Sequence, residues 1–309
     1  MKDNQAPLDL AELRGFAAVV DHGGFTAAAD RLGWAKGRVS SAVQRLERRL
    51  GARLLQRTTR TVSLTPDGEA FLLHARELLA DAEALQTLFQ PSGTGLRGRL
   101  RVDLPTVIAR DLVLPHLPDF LAAHPQLEVA LGTADRFVDV VQEGYDCVLR
   151  VGPLRDSGLV ARPLGWMPQA NAASPDYLAR HGVPRSLTDL GAHRVVHYAA
   201  QLGTRGAGWE YQEGGATRLW PMRSTVTVNG IDAYQAACLA GLGLIQAPRR
   251  GLQSRFDDGR LIEVLPEHVA PALPVTLLYP QRRQLAPRVQ AFMAWLEALV
   301  RPRLAATPC

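Results

Sequence analysis

Cysteine is scarce: Cys147, Cys238 and Cys309 are the three in 309 residues, without metal-ligand spacing or a paired framework. That excludes a disulfide-stapled scaffold and fits a reducing cytosol. Long apolar runs are missing as well. No stretch approaches the roughly eighteen uninterrupted apolar residues of a membrane span, and residues 1–10 hold no signal-peptide core. The expectation is a cytoplasmic protein without a membrane partner. Catalytic signatures are equally absent: no Cys-x-x-Cys, His-Glu-x-x-His, P-loop or Gly-x-Ser-x-Gly occurs. His193 and His197 have metal-compatible spacing only on a helix, and Val195-Val196 between them reads as strand. No enzyme, metal or cofactor is expected, and Cys147, in an apolar strand, reads as an inert core thiol.

One segment lacks acids. From Arg31 to Arg60 there are nine Lys/Arg residues against one acid, Glu47, although the net charge of the whole chain is only +5. Such a run is a phosphate-binding footprint. It coincides with a short Ala-rich helix from Phe25, a turn at Gly33 and a longer amphipathic helix from near Lys36. Val39, Ala42, Val43, Leu46 and Leu50 form that helix's apolar stripe. Gly37, Ser41, Gln44 and Arg48 lie opposite, flanked by Ser40 and Arg45. Small polar and basic groups suit a helix that enters a major groove.

Leu10, Leu13, Phe16, Ala17 and Val20 predict a supporting helix that ends at His22-Gly23-Gly24. Leu54 to Leu64 reads as a hairpin with arginine at its tip. Thr65-Pro66-Asp67-Gly68 starts a helix running to about Phe89. Its seam of Phe71, Ala75, Leu78, Ala82, Leu85 and Phe89 suits a coiled-coil-like partner. Gly93, Gly95 and Gly98 spell G-x-G-x-x-G, but a dinucleotide fingerprint follows a strand and opens a helix. Here the order is inverted, so the stretch reads as a hinge.

From residue 99 strands alternate with helices. Strands are expected at 99–104, 127–131, 146–151, 170–173, 194–198, 225–228, 244–247 and 275–279. Helices are expected at 112–123, 136–142, 175–180, 231–239 and 288–300. This is an α/β pattern with largely parallel sheets and crossovers near 165 and 268. Ligand groups then belong at strand ends where helices begin. Pro105, Thr106 and Val107 follow the first strand, and Asn229 and Gly230 precede a helix. Both offer backbone N–H groups to a carboxylate, while helix capping is the alternative, compatible role for Thr106 and Asn229. Arg150 and Val151 close a strand near the crossover, where a structural ion pair competes for Arg150. Tyr198, like His197, is a candidate for the second-lobe wall.

The series Phe25-Thr26-Ala27-Ala28-Ala29, Leu32-Gly33, Val39-Ser40, Leu46-Glu47, Leu50-Gly51, Leu54-Leu55-Gln56-Arg57, Leu64-Thr65 and Gly68 resembles the DNA-binding domain of LysR-type transcriptional regulators. The resemblance covers nearly the whole chain. It implies a multidomain protein with a winged helix-turn-helix head at 8–65 (helix-turn-helix 25–44). A linker and dimerisation helix at 66–90 and a hinge at 91–98 follow. A two-lobed α/β effector domain similar to type 2 periplasmic binding proteins then spans 99–304, with lobe I at 99–164 and 269–304 and lobe II at 165–268. Lys36, Gly37, Ser40 and Ser41 match base-reading positions. Thr26, Arg38, Arg45, Arg57, Thr58 and Arg60 are expected at phosphates. Ala35 stands where the family usually has a capping Ser, which predicts a frayed first turn. Gly37 replaces the usual Pro or Ser, and Ser41 stands where many members carry Arg or Lys. The implied partners are double-stranded promoter DNA, a small effector of carboxylate character, further copies of the chain as a homodimer or homotetramer, and RNA polymerase. A solute-binding protein and an enzyme using the cleft are the rival readings, opposed by the basic helix pair and the missing catalytic constellation.

Overall fold

A computed structural model describes residues 7–57, 62–88, 96–133, 135, 138–154, 156–200, 202–203, 208–281 and 285–307. They fall into two compact units, the smaller built on Met1–Thr94 and the larger on Gly95–Val140, Tyr145–Gln281 and Arg288–Cys309.

In the smaller unit, α1 (Leu10–Asp21), α2 (Phe25–Leu32) and α3 (Lys36–Leu50) enclose a core of Leu13, Phe16, Val19, Ala28, Val39, Val43 and Leu46. The Asp9 carboxylate caps α1 by accepting from Ala11 N, and Gly33 ends α2 in the left-handed region at φ 63°. Gly15 lets α1 approach α3 closely: a Cβ there would stand 3.3 Å from Ala42 Cβ. β1 (Leu55–Arg57) and β2 (Val62–Leu64) form the expected antiparallel hairpin, in register Arg57 to Val62. Its tip lies outside the described residues. α4 (Pro66–Leu88) starts where the Thr65 hydroxyl accepts from Gly68 N at 2.9 Å.

The seam of α4 is divided. Ala75 and Leu72 are buried in the head core and Phe71 packs at its edge against Phe16. Leu78 and Leu85 remain 47% and 63% exposed. The first turns therefore belong to a globular core, which corrects the reading of one continuous partner seam. Phe89 lies outside the described residues.

The larger unit is two-lobed. β3 (Arg97–Asp103) leads into α5, built from an α turn Thr106–Ile108, a π turn Ala109–Val113 and an α segment Leu114–Ala123. The helical run begins six residues before the expected 112. Pro115 and Pro118 lack the N–H groups that α bonds to Asp111 and Leu114 would need, and the π turn adjoins that defect. β4 (Gln126–Gly132), β5 (Cys147–Val151) and β6 (Leu159–Met167) follow. Of the helix expected over 136–142, residues 136 and 137 lie outside the described residues, and 138–142 are irregular or in turns that continue to 144. Val138 and Val140 turn inward onto Val148 and Leu278, and β-branched residues in so short a segment disfavour helix.

Next come β7 (Gln169–Ala173), α6 (Pro175–His181), a 3₁₀ turn Leu187–Ala192, β8 (His197–Tyr198), β9 (Trp209–Glu213), β10 (Ala216–Trp220) and β11 (Thr227–Val228). The chain closes with α7 (Ile231–Leu239), β12 (Ile245–Pro248), α8 (Arg249–Asp257), β13 (Ile262–Glu263), β14 (Leu273–Pro280) and α9 (Pro287–Val300). The first lobe is a five-stranded sheet in the order β4-β3-β5-β14-β6. Only β4-β3 and β3-β5 pair in parallel, whereas β14 is antiparallel to both neighbours. The second lobe has an antiparallel β12-β7-β13 sheet, the parallel β8-β11 pair and the β9-β10 hairpin. The sheets are therefore mixed, because β6 and β14 carry the chain out of the first lobe and back into it. Buried amides fix these crossovers. Asn171 Nδ2 donates to Leu265 O and His268 O at 2.9 Å each, and Gln169 Nε2 donates to Pro271 O at 2.7 Å.

Within the first lobe the Arg150 guanidinium meets Asp103, which is fully buried, at 2.8 Å. Removing one partner of such a pair leaves a charge without compensation. Asp103→Asn is expected to lower stability by about 3 kcal/mol in urea unfolding; a change within experimental error would show the pair to be dispensable. At the head, a Cβ on Gly68 would lie 2.0 Å from Leu54 O, the carbonyl that also accepts from Thr65 N. Gly68→Ala is expected to cost about 3 kcal/mol through forced displacement of that turn, read as a lowered thermal midpoint of the full chain.

Candidate nucleic-acid interface and effector cavity

The DNA-facing candidates lie on one side of the head. Lys36, Gly37, Arg38, Ser41, Gln44 and Arg48 are exposed on α3, Ser40 is half-buried, and Thr26 is exposed in the first turn of α2. Ala35 is the N-cap of α3 and supplies no side-chain cap. The helix begins at Lys36, with Ala35 O accepting from Arg38 N and Val39 N. Arg38 is held in place by stacking, its guanidinium 4.2 Å from the centre of the Trp34 ring.

Two acids orient the remaining basic groups. Glu12, buried on α1, accepts from Arg45 Nε at 3.0 Å and pairs with Arg49. Arg45 is thus anchored to the core while its side chain stays 48% exposed. Glu47 accepts from Leu54 N and Leu55 N at 3.0 and 3.1 Å, which ties the end of α3 to the first strand of the wing. Arg57 is placed in that strand; Thr58 and Arg60 lie outside the described residues. The sequence reading missed Trp34, Glu12 and Glu47 as organisers. Glu47 was marked there as the only acid of the basic run, which was the available signal.

In the larger unit a cavity of about 1110 Å³ opens between the two lobes. Pro105, Val107, Arg150, Val151, His197 and Tyr198 line it, as do Asp135, Gln235 and Gln246. Arg150 reaches the wall already paired with Asp103. Thr106, Asn229 and Gly230 are not among the lining residues. Neither N-cap residue, Pro105 or Gly230, supplies a cap from its own side chain. The capping role considered for Thr106 and Asn229 is therefore not realised, since each stands one residue away from the cap.

The backbone N–H groups at these starts already meet an anion. Asp135 accepts from Thr106 N at 3.3 Å through one carboxylate oxygen and from Ile231 N at 2.9 Å through the other. Its carbonyl accepts from the Tyr198 hydroxyl at 3.3 Å. Burial, and then the Asp135 charge, push the Tyr198 hydroxyl up to about 12, which keeps it a donor at neutral pH. Burial lowers His197, so its imidazole favours the neutral form. Gln235, 2% exposed, carries a buried Oε1 without a hydrogen-bond partner. Asp135 was missed because 136–142 was read as helix, although it follows a strand end, where ligand groups were sought.

Cys147 is fully buried and its thiol is driven well above the usual range by burial; Cys238 is pushed up to about 12. Neither presents the thiolate that oxidation chemistry needs. Among the described residues no group of three or more His, Cys, Asp or Glu is placed to hold a metal ion, and no helix is long and apolar enough to cross a membrane.

Residues 10–69 match the family of bacterial regulatory helix-turn-helix proteins of the lysR family, and residues 93–301 match the LysR substrate binding domain. The HTH-type transcriptional regulator YhjC of Escherichia coli (strain K12) is 43% identical over 289 residues, 94% of this chain and 97% of the relative. An HTH-type transcriptional repressor of Pseudomonas aeruginosa (strain UCBPP-PA14) is 36% identical over 301 residues, 97% and 95% of the two chains. The solved structure of CrgA, a LysR-type transcriptional regulator from Neisseria meningitidis, is 28% identical, has a TM-score of 0.58, and is matched over 94% of this chain and 99% of its own. A helix-turn-helix with an acid-poor outer face, a two-lobed body around a cavity and relatives matched almost end to end agree: the chain belongs to the LysR family of DNA-binding transcriptional regulators and is not an enzyme.

Proposed function

We propose that α3 enters the major groove of a dyad operator, with Lys36, Gly37, Ser40 and Ser41 at base edges. Thr26, Arg38, Arg45, Arg57, Thr58 and Arg60 hold phosphates on either side. The observation that carries this reading is the outer face of α3, where exposed small polar and basic residues stand without an acid. Arg38 on Trp34 and Arg45 on Glu12 are pre-positioned, which lowers the ordering cost of a contact. Ser41, where many members carry Arg or Lys, implies an operator lacking one guanine contact.

The working boundaries are a head at 8–65, a linker helix at 66–90, a hinge at 91–98 and an effector domain at 99–304. Leu78 and Leu85, exposed on the distal part of α4, support dimerisation through that helix, and pairing of dimers gives a homotetramer. The protein acts in the cytoplasm on promoter DNA, with RNA polymerase as the downstream partner. The effector is a small carboxylic acid in the interlobe cavity, against Pro105, Val107, Arg150, Val151 and Tyr198, with the Thr106 backbone N–H at the adjoining helix start. Two helix starts whose N–H groups face a carboxylate support that chemistry. Effector binding alters the lobe arrangement and, through subunit packing, the bend of the operator.

The division into reading and positioning residues is tested by two substitutions measured on the same selected operator over a range of salt. Arg57→Ala is expected to weaken binding to every duplex and to reduce the salt slope by about 0.9. Ser40→Ala is expected to keep the slope and to erode the preference for operator over random DNA, by roughly 1 kcal/mol or more. Identical behaviour of the two variants would refute the division.

A further inference from the structure

Asp135 lies in a bend three residues beyond the end of β4 in the first lobe, yet two of its three polar contacts belong to the second. Thr106 N, in its own lobe, donates to one carboxylate oxygen; Ile231 N, across the cleft, donates to the other. The Tyr198 hydroxyl, also from the second lobe, donates to its carbonyl. A carboxylate placed this way meets the positive end of α7 and the opening turn of α5 together. The Arg110–Asp232 pair also joins the lobes at 2.8 Å, but both partners are about half exposed and Arg110 also binds Asp111. Exposed pairs of that kind contribute little.

The second observation comes from the same wall. Gln235 lies one turn into α7 from Ile231, lines the same cavity, and presents its buried Oε1 to no donor. A buried acceptor in that condition favours any ligand that brings a donor to it. Two carboxylates cannot share the same pair of N–H groups without strong repulsion, so an acid that uses this seat has to remove Asp135 from it.

We propose that Asp135 is an internal competitor that occupies the carboxylate seat and links the lobes, and that the effector is a carboxylic acid bearing a hydroxyl or ammonium donor, which displaces Asp135 and completes Gln235. The proposal rests on the cavity being the effector site, and its test separates the two ideas.

The test uses the full chain and simple acids as probes. Thermal midpoints of the wild type, Asp135→Ala and Asp135→Asn are followed against sodium acetate, with sodium chloride at matched ionic strength as the control. Asp135→Ala is expected to respond to acetate at a concentration at least about tenfold lower than the wild type, because the seat is unfilled. Asp135→Asn, which keeps the side-chain volume, is expected to be destabilised without gaining that response. Equal acetate dependence of Asp135→Ala and the wild type overturns the proposal. If Asp135→Ala does not fold alone, recovery on adding acetate supports the proposal and failure to recover at any concentration overturns it.

A series of ω-hydroxy acids from glycolate to 4-hydroxybutanoate is then compared with the plain acids of equal length. At least one hydroxy acid is expected to outperform its plain partner on Asp135→Ala, and Gln235→Leu in that background is expected to erase the advantage. Equal losses for plain and hydroxy acids would refute the role of Gln235. Acetate capture by Asp135→Ala, together with operator binding that no small acid alters, would support the seat and refute the effector reading instead.

Discussion

A carboxylate taken out of water has to be met by cations or by backbone N–H groups, because uncompensated burial of the charge costs more than most packing contacts return. In an Arg-rich chain this requirement decides where arginines and loops go. Glu12 draws Arg45 and Arg49 onto α1. Glu47 captures the two N–H groups that open the wing. Asp103 fixes Arg150, and Asp135 joins the lobes. The basic surface of the head is thus shaped from beneath by acids that do not reach it.

The helix-turn-helix was legible because each level of the sequence pointed the same way. Apolar spacing marked the stripes of α1 and α3, Gly33 marked the turn between α2 and α3, and Thr65-Pro66 supplied a start. Those boundaries agree with the structure to within a residue or so. The body was legible mainly as an alternation of elements. β6 escaped because Pro163 and Gly165 interrupt its pattern. Gly165 is set there by a close approach, since a Cβ would lie 2.8 Å from Ala305 O. The β9-β10 hairpin escaped although its signal was present: Trp209 and Tyr211 alternate before Gly214-Gly215, both at positive φ, and Trp220 follows in the second strand. α8 carries too few apolar residues to show a stripe.

The candidate sites divide along the same line. Exposed groups on a strongly periodic helix can be placed from spacing alone, so the positions on α3 were readable. The cavity depends on residues that meet across two crossovers, and sequence spacing does not encode which carboxylate will reach a helix start on the other lobe. Thr106 and Ile231 are 125 positions apart, and one side chain satisfies both. The search at strand ends was sound in principle; it passed over the end of the second strand because the residues after it were assigned to a helix.

A ligand shifts a conformational equilibrium only by its difference in affinity for the two states. A carboxylate that merely filled space between the lobes would bind both arrangements alike and change nothing. Asp135 creates the difference locally, since its bond to Ile231 N exists only while the lobes hold this arrangement. Anything that replaces Asp135 at both N–H groups preserves the closure, whereas anything that takes only one of them loosens it. The sign of the response would then follow from whether the incoming acid spans both lobes. The same cavity could favour opposite lobe arrangements with two acids that differ only in reach.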